Sequence, residues 1–158
     1  TTLSVTLFPY TTLFRSRHWG VSNLDTDDMG ELVAAGGDGC VTDQILYNLV
    51  RRGPELDLLP WLAQHNVPVM AYSPVEQGRL SSHPALDKVA AQVGGTPAQV
   101  ALAWTLRHDS LIAIPKASSI AHVRENRAAA DIVLSDADLA TLDAAFPRPA
   151  GRRPLEML

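Results

Sequence analysis

Two residue types are scarce in this 158-residue sequence: there is one cysteine, Cys40, and there are two lysines, Lys88 and Lys116. A lone cysteine forms no internal disulfide, which fits a reducing cytoplasmic compartment, and Cys40 reads as a small buried hydrophobe. Any role that needs an ammonium group has only Lys88 and Lys116 to fill it. Long hydrophobic runs are also missing. Stretches such as Val67-Pro68-Val69-Met70-Ala71-Tyr72 fall far short of the ~20 residues of a bilayer crossing, so no membrane span is expected. Excess positive charge is absent too: 13 Lys+Arg face 17 Asp+Glu, a net charge of -4 with a pI near 5.6. Nucleic acid and anionic membranes are therefore not expected as partners. The five histidines, at 18, 65, 83, 108 and 122, show no metal-ligand spacing, and no metal is expected. With 46% hydrophobic and 19% charged residues, the length predicts one globular domain with a real core.

Composition changes abruptly after residue 16. Thr1 to Ser16 hold no acidic residue, one arginine and three of the nine aromatics. The run Thr6 to Ser16, TLFPYTTLFRS, resembles the in-frame translation of a common sequencing-adapter oligonucleotide. Residues 1–16 are accordingly expected to be an artefact and not a domain, and the protein is expected to begin mid-gene. The alternative is an edge β-strand, since Thr, Leu, Phe and Tyr favour strands. Residues 17–158, which lose only Arg15 from the charge count, carry a net charge of -5.

In those residues short β-branched runs alternate with segments of helical period, the pattern of a parallel sheet covered by helices. Strands are expected near Trp19–Ser22, Thr42–Tyr47, Val67–Tyr72 and Leu111–Pro115. Each is nearly continuously apolar, as when both faces are buried. Thr96-Pro97-Ala98-Gln99 is a capping box that opens a helix to about His108. Ser135 caps another helix that Pro147 ends, Asp57 one that holds Leu58 to Leu62, and Asp25 or Thr26 one that Gly36-Gly37 stops. Ser118 or Ser119 opens a segment to about Ala130, and a further helix covers Ala85–Val93. Polar residues fall at the carboxyl ends of the strands: Ser22-Asn23, Gln44 with Asn48, Ser73 and Lys116. In an open doubly wound sheet and in a closed (β/α) barrel alike, that rim is where ligands bind, and periodicity does not choose between the two folds.

The motifs Trp19-Gly20-Val21-Ser22-Asn23, Asp43-Gln44-Ile45-Leu46-Tyr47-Asn48, Ala71-Tyr72-Ser73-Pro74, Ile114-Pro115-Lys116-Ala117-Ser118 and Glu125-Asn126 resemble, in order and spacing, those of the aldo-keto reductases. The Tyr-Asn-Leu, Arg-Gly-Pro-Glu and Pro-Leu-Glu-Met segments are most similar to its bacterial methylglyoxal-reductase-like branch. The resemblance spans Arg17 to Leu158. It implies an α/β fold that is the C-terminal half, about four β/α units, of a (β/α)8 TIM barrel. A full barrel needs ~250 residues, and about half are present here.

What each motif would do follows from the same resemblance. Ser22, Asn23 and Gln44 would hold the nicotinamide carboxamide, and Tyr72 would stack on the ring. Ser73, Pro74 and Val75 would approach the pyrophosphate. Lys116, Ser118 and Ser119 would meet the ribose 2′-phosphate, and His122, Glu125 and Asn126 the adenine side. Without the resemblance these residues read as an Asx turn, a core amide, a core aromatic, a Ser-Pro turn and a solvated helix face. Lys116 stands out even so, because an ammonium at a strand end, followed by serines at a helix start, is a natural anion site. Ala117 stands where many relatives have a hydroxyl residue, and His122 where many have an arginine, so NADH is not excluded beside the expected NADPH.

The family's general-acid Tyr and its Lys, Asp and His partners have no matching positions. The expectation is thus a fragment of an NADPH-dependent oxidoreductase that reduces small aldehydes or ketoaldehydes in the cytoplasm. It is expected to be inactive by itself. A non-catalytic half-barrel that binds a nucleotide or phosphate is the alternative. A third reading is another barrel enzyme with a phosphate site after its last strands.

Overall fold

The computed structural model describes residues 17–80 and 82–158, so the Thr1–Ser16 segment set apart above lies outside the described residues. Four parallel strands in the order β1-β2-β3-β4 form one sheet: β1 Trp19–Ser22, β2 Cys40–Leu46, β3 Val69–Tyr72 and β4 Leu111–Ala113. Helices fill every crossover. They are α1 Thr26–Ala34, α2 Leu58–Gln64, α3 Pro84–Val93 with α4 Pro97–Thr105 between β3 and β4, and then α5 Ile120–Ala128 and α6 Asp136–Ala145.

The helix starts are chemical. Asp25, Thr96 and Ser135 each close a capping box with the residue three places on, and Asp57, His83 and Ser119 accept from the first turns of α2, α3 and α5. Gly20 lies where β1 crosses β2 so closely that a Cβ would stand 2.5 Å from the Thr42 side chain, beside a register shift between Trp19 and Val21.

The register assigns the two faces. Ser22 pairs with Gln44, Gln44 with Met70 and Met70 with Ile112, so these side chains share one face. Asp43, Val69 and Leu111 share the other, which the helices cover. The expectation that both faces are buried is corrected here. Ile45, Val69 and Ala71 are fully enclosed on the helix side, whereas Ile112 on the Gln44 face is 49% exposed. Several boundaries also move, among them the start of β3 at Val69 and the end of β2 at Leu46. β2 starts at Cys40, and β4 stops at Ala113, ahead of Pro115, which has no N–H for a ladder. α4 ends at Thr105, three residues before His108. Cys40 is buried as expected.

On the helix side, Tyr47 stacks with Trp104 at 5.5 Å. A buried carboxylate, Glu55, accepts from the Tyr47 hydroxyl at 2.9 Å, from Arg52 at 3.0 Å through both oxygens and from Arg107 at 3.0 Å. Burial alone would raise its pKa, but the bonds from Arg52 and Tyr47 outweigh that and hold it below the usual carboxylate range. Arg52 continues to Asp143 and to the Phe146 carbonyl, which ties α6 to the segment that precedes α2.

Candidate cofactor-binding site

Because the four strands are parallel, their carboxyl ends lie along one rim, and the polar residues singled out in the sequence line it. Ser22 and Gln44 are register partners, and the Ser22 hydroxyl donates to the Gln44 carbonyl at 2.9 Å. Asn23 follows in the left-handed region at φ 58°, its N–H donating to the same carbonyl at 3.0 Å. Asparagine tolerates that conformation better than most residues. Its side-chain oxygen accepts from the Tyr72 hydroxyl at 3.1 Å, which joins the β1 end to the β3 end across β2.

Gln44 has the most open chemistry of the group. Its carboxamide has no partner among the described residues, is half-buried and lies on the uncovered face of the sheet. A primary amide there presents both a donor and an acceptor to a ligand amide.

The segment after β3 is strained. Ser73, Glu76 and Gln77 all have positive φ, at 49°, 47° and 57°. Two side chains hold it. Asn48 donates to the Ser73 carbonyl at 3.0 Å and to Glu76 at 2.7 Å, and Arg51 donates to Glu76 at 2.9 Å. Arg51 also pairs with Glu156 near the end of the chain. Burial would raise the pKa of Glu76, but the bonds from Arg51 and Asn48 lower it overall. Pro74 is buried and Val75 packs against the core, so this segment offers a ligand the Ser73 hydroxyl and backbone groups, not the Pro74 ring.

Lys116, Ser118, His122 and Glu125 are exposed on the β4–α5 connection and α5, and Asn126 is half-buried. The Ser119 hydroxyl caps α5 by accepting the His122 N–H at 3.2 Å, so Ser119 is the cap and Ser118 is not. Lys116 enters no ion pair among the described residues and stands three residues before the chain turns into α5 at Ser119. Glu125 takes part through its backbone carbonyl, which accepts from Gln99 at 3.0 Å.

Sequence reasoning placed Asn48 on the rim but missed its work as a buried clamp, and it passed over Glu76 and Arg51 altogether. No local pattern signals a carboxylate that bonds residues 25 and 28 positions away.

The aldo/keto reductase family profile matches residues 15–146. The chain belongs to the aldo/keto reductase family. It is 49% identical over 148 residues to methylglyoxal reductase YeaE of Escherichia coli, a match covering 90% of this chain and 52% of that protein. Pyridoxine 4-dehydrogenase of the same organism is 35% identical over 128 residues, covering 80% of this chain and 44% of the relative. Among solved structures, an aldo-keto reductase from Klebsiella pneumoniae in complex with NADPH superposes with a TM-score of 0.87 at 51% identity, covering 90% of this chain and 52% of that one. A second structure of a Klebsiella pneumoniae aldo/keto reductase, with NADP and acetate, matches equally well. The chain spans about half the length of the relatives it matches, and its four-stranded parallel sheet with helices corresponds to half of their TIM barrel.

Proposed function

We propose that the rim formed by the carboxyl ends of β1 to β4 holds NADPH, and that this chain supplies the cofactor side of a reductase of small aldehydes or ketoaldehydes. The observation that carries the reading is the unpartnered Gln44 carboxamide beside Ser22, Asn23 and Tyr72, a donor and acceptor set suited to a carboxamide ligand. Bound NADPH would supply a hydride to a substrate carbonyl. The chain's residues orient it: Ser22, Asn23 and Gln44 grip the nicotinamide amide, and the Tyr72 ring covers one face of the nicotinamide. Stacking of that type is worth ~0.5–1.5 kcal/mol, enough to orient a ring. The anionic end falls to Ser73 and to Lys116, Ser118 and Ser119, with His122, Glu125 and Asn126 on the adenine side.

The proton donor is the part this chain does not furnish. Carbonyl reduction needs an acid within hydrogen-bond reach of the developing alkoxide. Among the described residues there are two tyrosines. Burial raises the Tyr47 pKa and its hydroxyl is committed to Glu55, while the Tyr72 hydroxyl is committed to Asn23. The chain by itself is therefore inactive as a reductase while keeping a cofactor surface.

Fluorescence titration tests the reading. NADPH is expected to bind saturably, and Lys116→Ala to weaken it about tenfold, the size of one lost charged hydrogen bond, while leaving NADH binding unchanged. Equal losses for both cofactors would remove Lys116 from the 2′-phosphate. Unaltered binding in Gln44→Ala would remove the carboxamide grip.

A further inference from the structure

On the helix side of the sheet, opposite the Gln44 face, a pocket of about 380 Å³ opens between α2, the end of α4 and α6. Three arginines line it, Arg52, Arg107 and Arg148, against two carboxylates, Glu55 and Asp143. The positive charge is one in excess. Hydrogen-bond accounting sharpens the point. Four of the five Arg52 donors are engaged, by both oxygens of Glu55, by Asp143 and by the Phe146 carbonyl. Arg107 is not. Two of its five N–H donors reach the Trp104 carbonyl and Glu55, and its plane is fixed 3.5 Å over the Trp104 ring.

Arg148 touches Glu55 at 3.3 Å and leaves the rest of its guanidinium in the pocket mouth, 59% exposed. Both Glu55 oxygens are already shared among Tyr47 and three arginines, and among the described residues no bond is seen from the three outstanding Arg107 donors. Asp143 is half-exposed and already engaged by Arg52. His108 lines the same pocket, where burial first and the Arg107 charge second lower its pKa against the opposing charge of Glu55. Ser110, exposed, is also in the lining, and its hydroxyl forms no bond among the described residues.

We propose that this pocket is a second anion site, distinct from the cofactor rim, built to take a phosphate group between Arg107 and Arg148. The immobilised Arg107 fork matches two oxygens of a tetrahedral anion at little cost in side-chain entropy. Arg148 closes over a third, and Ser110 donates from the wall. The apolar side chains of Leu59, Leu111 and Leu139 form the rest of the lining, which suits a phosphate monoester with a small apolar body.

The test is an NMR titration with inorganic phosphate, reading the arginine Nε–H signals at constant ionic strength held with chloride. Arg107 and Arg148 are expected to shift saturably, with Arg52 moving less because it is buried and four of its five donors are engaged. Arg148→Ala leaves the buried Arg52–Glu55 pair in place and is expected to weaken binding about tenfold. Arg107→Lys keeps the charge without the fork and is expected to weaken it comparably. Lys116→Ala separates the sources: phosphate held on the cofactor rim would be lost in that variant, and phosphate held here would not. A linear, unsaturated drift, or unchanged affinity in Arg148→Ala, would overturn the site.

Discussion

Asp43 sits fully enclosed in the middle of β2, and among the described residues neither of its oxygens has a hydrogen-bond partner. Its neighbour Gln44 is half-buried on the opposite face, and the difference is one residue of pleat. Burial pushes the Asp43 carboxyl up to about 7, with the N–H groups of Leu24, Asn23 and Gln44 drawing it down from a distance and Asp28 pushing it further up. A carboxyl that titrates near 7 when folded and near 3.8 when unfolded stays protonated in the native state through the interval between. The native state then binds more protons than the unfolded one, so stability falls as pH rises from about 4 to about 7 and stays lower above that. The full cost is of order ~4 kcal/mol. Asp43→Asn, which cannot ionise, is expected to match the parent in stability near pH 4. It should exceed the parent by ~2–4 kcal/mol at pH 8, read from urea unfolding at both pH values. A gap that does not widen with pH would mean that Asp43 is solvated or paired. Nothing in the sequence marked this residue, because Asp-Gln reads there as two polar residues at a strand end, and only the register hides one and opens the other.

At the level of the elements, the sequence was most readable where the chemistry is local. Asp25, Asp57, Thr96 and Ser135 cap the helices they were expected to cap, because an N-cap bonds within three residues and leaves its mark in that window. The four strands were legible from their β-branched runs, but their ends were not, since Cys40 joins β2 through a neighbour and not through its own propensity. The clamp on the segment after β3 was illegible for the same reason: Asn48, Arg51 and Glu76 meet only after β2 and β3 have paired. Among the caps Thr96 has the widest reach. It accepts from Gln99 at 3.2 Å while Gln99 donates on to the Glu125 carbonyl, so one box fastens α4 and α5 together. Thr96→Ala is expected to cost ~1 kcal/mol in urea unfolding, a typical cap value. Gln99→Ala is expected to cost as much again and to speed amide hydrogen exchange in α5. Equal exchange in α5 of both proteins would show that the Gln99–Glu125 link carries no load.

For the whole molecule, the decisive feature is where apolar surface stays uncovered. Ile112 on β4, Ile120 and Val123 on α5 and Val133 beyond it are 49%, 73%, 56% and 88% exposed, and α5 buries none of its residues. Among the described residues β4 has a single strand neighbour, β3. An unpaired strand edge beside apolar side chains is a surface that water does not stabilise and that another chain can extend. The chain spans about half the length of the relatives it matches. By itself the protein is therefore expected to bind a hydrophobic dye and to elute from gel filtration above its 17.0 kDa mass. Co-expression with the first half of the E. coli methylglyoxal reductase, 49% identical over this region, is expected to suppress dye binding. On the function proposed above, it should also yield a complex that oxidises NADPH in the presence of methylglyoxal, the added half supplying the proton donor and this chain the proposed cofactor rim. A monomer that binds no dye would show that α5 and β4 find cover within this chain. A stable but inactive complex would separate docking from catalysis and leave the cofactor rim as the part in error.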